Sequence, residues 1–248
     1  YTFYATIGAI VTAGAKPVFV DVDTDYNLNS LELEKKITKK TKAILPVHWS
    51  GRVCEMDKIK KISNKYKIPI VEDSCHAILA KYKNKIAGNF GDFGCFSLHP
   101  LKNLNVWGDG GFVLIKKKKF YNKMMLLRNH GLISRNKNQL FGYNSRLDTI
   151  QAVVALHLLN KIKFITNKRI SNSLYLDKKL SKISSIILKK RKEYLKEVFH
   201  LYEFRVKDKR IRSKLIKFLQ KKGIDAKIHY PVPMHLQPAA REFNYKKG

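Results

Sequence analysis

The sequence predicts an α/β fold built on a parallel sheet, and three observations carry that prediction. Lys42 to His48 is a nearly all-apolar run, as expected of a strand covered on both faces. Met56, Ile59, Ile62 and Tyr66 then recur on one side of a helix. Ile68 to Asp73 is a second buried strand, ending in an acid. A strand, a helix and a strand in that order form a βαβ unit, whose strands run parallel.

The remaining elements follow in chain order. Lys16 to Asp23 alternates and is rich in valine, which predicts a strand. Asn29-Ser30-Leu31-Glu32 has the spacing of a capping box and predicts a helix running to about Ile37. Ala87 to Asp92 is a turn-rich connection, and Phe93 to Leu98 and Phe112 to Ile115 are strands. Phe120 to Asn129 is a basic amphipathic helix. Ser145 and Asp148 are set as a second capping box, opening a helix from Ile150 to about Leu180. Val198 to Val206 and Ala226 to Tyr230 predict strands, with an amphipathic helix from Ile211 to Lys222 between them and Gly223 as its stop.

Composition bounds the functional classes. The chain has 248 residues, enough for one large domain or one domain with a smaller companion. No apolar run is long enough to span a bilayer, so no membrane partner is expected, and the first residues do not form a signal peptide. Cys54, Cys75 and Cys95 have no metal-ligand spacing and fit a reducing cytosol. The formal charge of +31 points toward anionic ligands. The lysines are spread over every segment instead of forming one patch with interleaved aromatics, so no specific nucleic-acid partner is expected.

The chemistry concentrates in two stretches. Phe96 to Leu104 carries an apolar strand into a polar turn that holds Lys102, and the glycine cluster Gly108-Asp109-Gly110-Gly111 follows. A lysine beside packed apolar residues has a depressed pKa and serves as an amine nucleophile toward a carbonyl cofactor; the alternative is a surface lysine. Upstream, Asp73 at a strand end suits the ring nitrogen of pyridoxal phosphate, which needs a carboxylate; the alternative is a helix N-cap. His76 would pack on that ring or reach its phenolic oxygen, or else is a satisfied core histidine.

With these two segments the chain resembles the DegT/StrS family of sugar-nucleotide aminotransferases, of pyridoxal phosphate fold type I. The resemblance runs from Thr2-Phe3-Tyr4-Ala5-Thr6 through Gly14 to Val22, Lys42 to His48, Asp73, Lys102, Arg128 to Gly131 and Gly142 to Asp148, and ends at His229-Tyr230-Pro231-Val232-Pro233-Met234-His235. It implies a mostly parallel, seven-stranded-type sheet flanked by helices, in a large cofactor-binding domain over 1–150. A linking helix and a small α+β domain over 151–248 would follow. Members of the family carry further residues before Tyr1, including a phosphate-binding Gly-Thr or Gly-Ser turn, and a final strand and helix after Gly248, so the chain reads as incomplete at both ends.

The resemblance also implies roles. Lys102 bonds the cofactor's aldehyde, Ser97 binds its phosphate, and Phe3 stacks on its ring or is ordinary core. Asn144 reaches the phosphate of a neighbouring subunit, which implies a homodimer with shared active sites; otherwise it is a turn residue. Arg146, His229, Tyr230 and His235 are substrate-binding candidates, or an ion-pair residue and a packed turn. The activity implied is transfer of an amino group, with glutamate as donor, to a keto sugar of a nucleotide-sugar, for polysaccharide, lipopolysaccharide or other glycan synthesis in the cytoplasm. Two alternatives stand beside it. One is a dehydratase on the same scaffold, where histidine replaces the lysine. The other is a non-catalytic relative.

Overall fold

A computed structural model describes residues 1–246. The chain opens with helix α1 (Tyr4–Thr12) and a short α2 (Ser30–Lys35). The segment between them, expected as a strand, has a single antiparallel bridge, Val22 to Leu28. Its backbone closes a local turn instead, with Asp23 N–H donating to Asn27 O and Asn29 N–H to Asp21 O. The cap of α2 is half as expected: Asn29 Oδ1 accepts the Leu31 N–H at 2.9 Å, while Glu32 pairs with Lys35 at 2.7 Å instead of reaching back.

The βαβ unit forms. Helix α3 (Met56–Tyr66) buries Met56, Ile59 and Ile62, and strand β1 (Val71–Asp73) follows. The 42–48 run lies parallel to β1 through the bridges Ile44 to Ile70 and Val47 to Asp73. A hairpin, β2 (Lys81–Tyr82) and β3 (Lys85–Ile86), leads to β4 (Phe93–Ser97) and β5 (Gly111–Ile115). The sheet order is β1-β4-β5, with β4 parallel to β1 and β5 antiparallel to β4. Of the larger sheet expected, the described residues contribute these three strands and the bridged 44–47 segment.

Helix α4 (Lys118–Leu127) and the small hairpin β6 (Leu132–Ser134) and β7 (Lys137–Asn138) follow. The expected capping box at Ser145 and Asp148 is absent. Ser145 N–H donates to Arg128 O and Tyr143 N–H to Leu127 O, which zips this stretch to the end of α4, and Asp148 stands at the N-cap without a side-chain cap bond. The long helix is two, α5 (Thr149–Leu159) and α6 (Ile162–Leu180). The break at Asn160–Lys161 turns Ile162 into a core cluster with Leu98, Leu104 and Val106.

After α6 come β8 (Ile186–Leu188), β9 (Leu195–Lys196), β10 (Phe204–Val206) and helix α7 (Lys209–Lys221). The strand expected over 198–206 shrinks to β10, which pairs antiparallel with β8. Residues ahead of it bond to loops: Val198 N–H to Gly51 O, Val198 O from Asn103 Nδ2, and Leu201 N–H to Ser50 O. Val198 thereby joins the main core beside Ile44, Ile59 and Ile70, and a buried aliphatic side chain contributes about 1.5–3 kcal/mol. Ala226 to Tyr230 has no strand partner among the described residues. Gly248 lies outside the described residues.

Candidate active site

Asp73 stands at the carboxyl end of β1, where ligands bind in open α/β sheets. Its Oδ1 accepts the Cys75 N–H at 3.1 Å and its Oδ2 accepts the Thr6 hydroxyl at 2.8 Å. The preceding residue points the other way, as alternation along a strand requires. Glu72 is fully buried and accepts the N–H groups of Gly88, Phe90 and Gly91.

Lys102 sits in the turn after β4, its backbone N–H donating to His99 O at 2.8 Å. No hydrogen bond or ion pair takes its amine among the described residues. Burial pulls this ammonium below its ordinary pKa, against the opposing pull of the Asp73 carboxylate. Burial beside Asp73 in turn raises the Cys75 thiol, which stays protonated.

His76 is buried and accepts the Ser50 N–H on Nδ1 at 3.3 Å. That bond assigns the neutral ring with its proton on Nε2. The ring lies 5.2 Å from Trp49 and 4.1 Å from His200, centre to centre. Burial, then the charges of His200, Lys102 and His229, push His76 down to about 2; burial and Lys102 push His200 down to about 3. Both rings are neutral at physiological pH.

Aromatic rings flank the group. Tyr230 lies 5.7 Å from Trp49, 6.1 Å from Phe3 and 6.2 Å from Tyr4, and His229 lies 5.5 Å from Trp49. Tyr1 donates its hydroxyl to the His229 carbonyl. Burial raises the Tyr230 phenol to about 12, with Tyr4, Tyr1 and Asp73 adding to the effect. The fold therefore gathers Phe3, Asp73, His76, Lys102, His229 and Tyr230.

The other residues singled out lie elsewhere or apart. Ser97 ends β4, and its Oγ accepts the His99 N–H at 3.2 Å, which leaves its own proton free to donate. Asn144 is exposed and bridged to Asn129, whose side chain also takes Arg146 at 2.6 Å. His235 packs 5.8 Å from Phe19, and no contact joins it to the Asp73–Lys102 group among the described residues.

Three residues were missed. Trp49 follows the 42–48 run at its carboxyl end, a position that could have marked it. Thr6 lies one helical turn beyond Phe3 and gives no signal of its own. His200 is delivered by the long-range packing of Val198, with Arg169 Nη1 holding the Phe199 carbonyl at 3.1 Å and the His200 carbonyl at 3.4 Å. Sequence pattern carries no trace of that.

The donor set fits pyridoxal phosphate. An amine with no partner among the described residues stands close enough to the Asp73 carboxylate for the two charges to act on each other, and the His76 and Tyr230 rings stand within reach of Lys102 and Asp73 respectively. Trp49 Nε1 and His200 Nδ1 are buried without partners among the described residues, and buried polar groups are ordinarily satisfied.

A model of the DegT/DnrJ/EryC1/StrS aminotransferase family matches residues 1–248. A protein of Geobacillus stearothermophilus named pleiotropic regulatory protein is 35% identical over 251 residues, covering 100% of this chain and 67% of its own length. A UDP-N-acetyl-3-dehydro-alpha-D-glucosamine 3-aminotransferase of Acidithiobacillus ferrooxidans is 35% identical, covering 96% of this chain and 63% of its own. The solved structure of DesV from S. venezuelae superposes with a TM-score of 0.93 at 33% identity, over 98% of this chain and 65% of that one. The chain thus spans about two thirds of the length of these relatives.

Proposed function

This chain belongs to the DegT/DnrJ/EryC1/StrS aminotransferase family, and on that premise we propose that it is a pyridoxal-phosphate-dependent aminotransferase acting on nucleotide-sugars. The observation that carries the reading is the unpaired amine of Lys102 in one aromatic-lined group with the Asp73 carboxylate. Pyridoxal phosphate, when bound, supplies an electron sink for the carbon that gains or loses the amine. Asp73 would hold the ring nitrogen and keep its proton, Ser97 would donate to the phosphate, and Phe3 and His76 would contact the ring.

Lys102 holds the cofactor and then works as a proton carrier. Its Nζ takes a proton from the donor's amine-bearing carbon as general base and later delivers one to the sugar carbon as general acid. The burial that lowers its pKa raises the share present as free amine. Glutamate is the proposed donor. A keto group on a nucleotide-linked deoxysugar is the proposed acceptor, in keeping with the relatives' names and the net positive charge, and glycan synthesis is the proposed setting. His229 and Tyr230 would border the sugar.

The proposed assembly is a homodimer with shared sites. Ile150, Val153 and Leu156 on α5 are each more than 60% exposed at a spacing of three, and such a stripe is costly to leave in water. Asn144 lies just ahead of it, free to serve a neighbour's site. No helix among the described residues is long and apolar enough to cross a membrane. The free thiols of Cys54, Cys75 and Cys95 suit a reducing compartment, and the cytoplasm is the proposed location.

The test is cofactor trapping. The protein is incubated with pyridoxal phosphate, reduced with borohydride, digested and mapped by mass spectrometry. Label on Lys102 that disappears in Lys102→Ala, together with 2-oxoglutarate formed from glutamate in the presence of a keto nucleotide-sugar, is the expected result. Labelling scattered over many lysines would overturn the reading. Label on Lys102 without transfer to any nucleotide-sugar would favour a binding relative over an enzyme.

A further inference from the structure

Asp73 is held at both of its carboxylate oxygens, by two different kinds of bond. The tie from the Cys75 N–H to Oδ1 is local, an Asx turn open to any aspartate at such a bend. The tie from Thr6 Oγ1 to Oδ2 spans 67 residues of chain and comes from α1, the helix that also carries Tyr4 and follows Phe3. A carboxylate bound at one oxygen still turns about its Cβ–Cγ bond. Bound at both, its plane is set. Each ionised oxygen has room for about two donors, so one position on each stays open for a third group.

We propose that Thr6 is a positioning residue that fixes the Asp73 carboxylate plane for a protonated ring nitrogen. This rests on the proposed cofactor. In this role Thr6 acts through Asp73. Its hydroxyl leaves the carboxylate pre-oriented, so that no rotational freedom is lost when the ring nitrogen arrives. Because α1 presents Thr6 and the Phe3–Tyr4 aromatics together, the same helix couples the orientation of the carboxylate to the ring-facing wall.

The test uses two ligands that differ at one atom: pyridoxal phosphate and its 1-deaza analogue, in which carbon replaces the ring nitrogen. Equilibrium binding is measured by absorbance and by fluorescence for the wild-type protein, Thr6→Val and Thr6→Ser. The wild type should prefer pyridoxal phosphate by tenfold or more. Thr6→Val, which keeps shape and loses the donor, should cut that preference about five- to tenfold and leave deaza affinity unchanged, and Thr6→Ser should restore it. Thr6→Val weakening both ligands equally would overturn the inference, since a helix merely pinned in place affects both. Thr6→Val retaining the full wild-type preference would overturn it as well, while leaving Asp73 at the ring nitrogen. A wild type that does not distinguish the ligands would instead overturn the assignment of Asp73 and the cofactor reading with it.

Discussion

His48 Nε2 lies 2.9 Å from Glu72 Oε2, and both side chains are wholly buried. Cys54 N–H donates to the other ring nitrogen of His48 at 3.2 Å, so Nε2 carries the proton that Glu72 accepts. Burial alone would raise the Glu72 pKa. The bond from His48 and the N–H groups of Gly91 and Gly88 outweigh it and hold the carboxyl below its usual range. One buried charge thus ties the 42–48 run, β1 and the 88–91 turn together directly beneath Asp73.

Glu72→Gln should therefore be costly despite its shape. The amide turns two donors and one acceptor toward a ring of donors, and buried groups left unsatisfied cost about 1–3 kcal/mol each. A loss of about 2–4 kcal/mol is expected by urea unfolding. A midpoint shift equivalent to less than about 0.5 kcal/mol, the range of ordinary surface substitutions, would contradict this account.

Gly94 on β4 leaves no room for a side chain. A Cβ there would stand 2.4 Å from Gly88 Cα and 2.4 Å from its carbonyl oxygen. Gly94→Ala should push the 88–91 turn off Glu72 and lower stability by about 1–3 kcal/mol, as overpacking does. Faster amide exchange at Gly88, Phe90 and Gly91 would be the local sign. Unchanged exchange there would sink the coupling.

Acid should unfold this protein early. The unfolded rings of His76 and His200 titrate near 6.5, while the folded ones hold off to about 2 and about 3. Between those values the unfolded state binds more protons, so stability falls as pH drops. Each histidine contributes up to about 1.4 kcal/mol per pH unit below 6.5. Urea midpoints at pH 7 and pH 5 should differ markedly, and His200→Gln should flatten the difference. Equal slopes for the variant and the wild type would count against a neutral buried His200.

Arg52 is buried between Asp25 at 3.0 Å and Glu197 at 3.2 Å, and donates to Lys190 O at 3.0 Å. Glu197 also takes Arg191, which binds Asp177. Arg52→Ala would leave Asp25 without a cation among the described residues and Glu197 with Arg191 alone, and breaking a buried pair costs about 3–5 kcal/mol. Adding Asp25→Asn should recover part of the loss, since Asp25 has no other cation among the described residues, and a double variant no better than the single one would disprove the pairing.

Short-range pattern alone determined much of this protein. The apolar spacing of α3 and α7, the strand that ends at Asp73, and the strand that delivers Lys102 follow from local periodicity and from chain order. The glycine stop at Gly223 also formed, with a left-handed φ of 76°. Family resemblance rested on two of these, the Asp73 and Lys102 segments, and on further motifs between Thr2 and His235.

What only the tertiary structure decided is pairing. Residues 16–23 and 226–230 have strand composition but no neighbouring strand among the described residues, and a strand exists only through its partner's hydrogen bonds. Residues 198–203 had partners, yet these were the Ser50–Gly51 and Asn103 loops, and that choice placed His200 against His76. Thr6 reached Asp73 for the same reason. Contacts across 67 or more residues are settled by how whole elements pack, and periodicity within any one element carries no information about them.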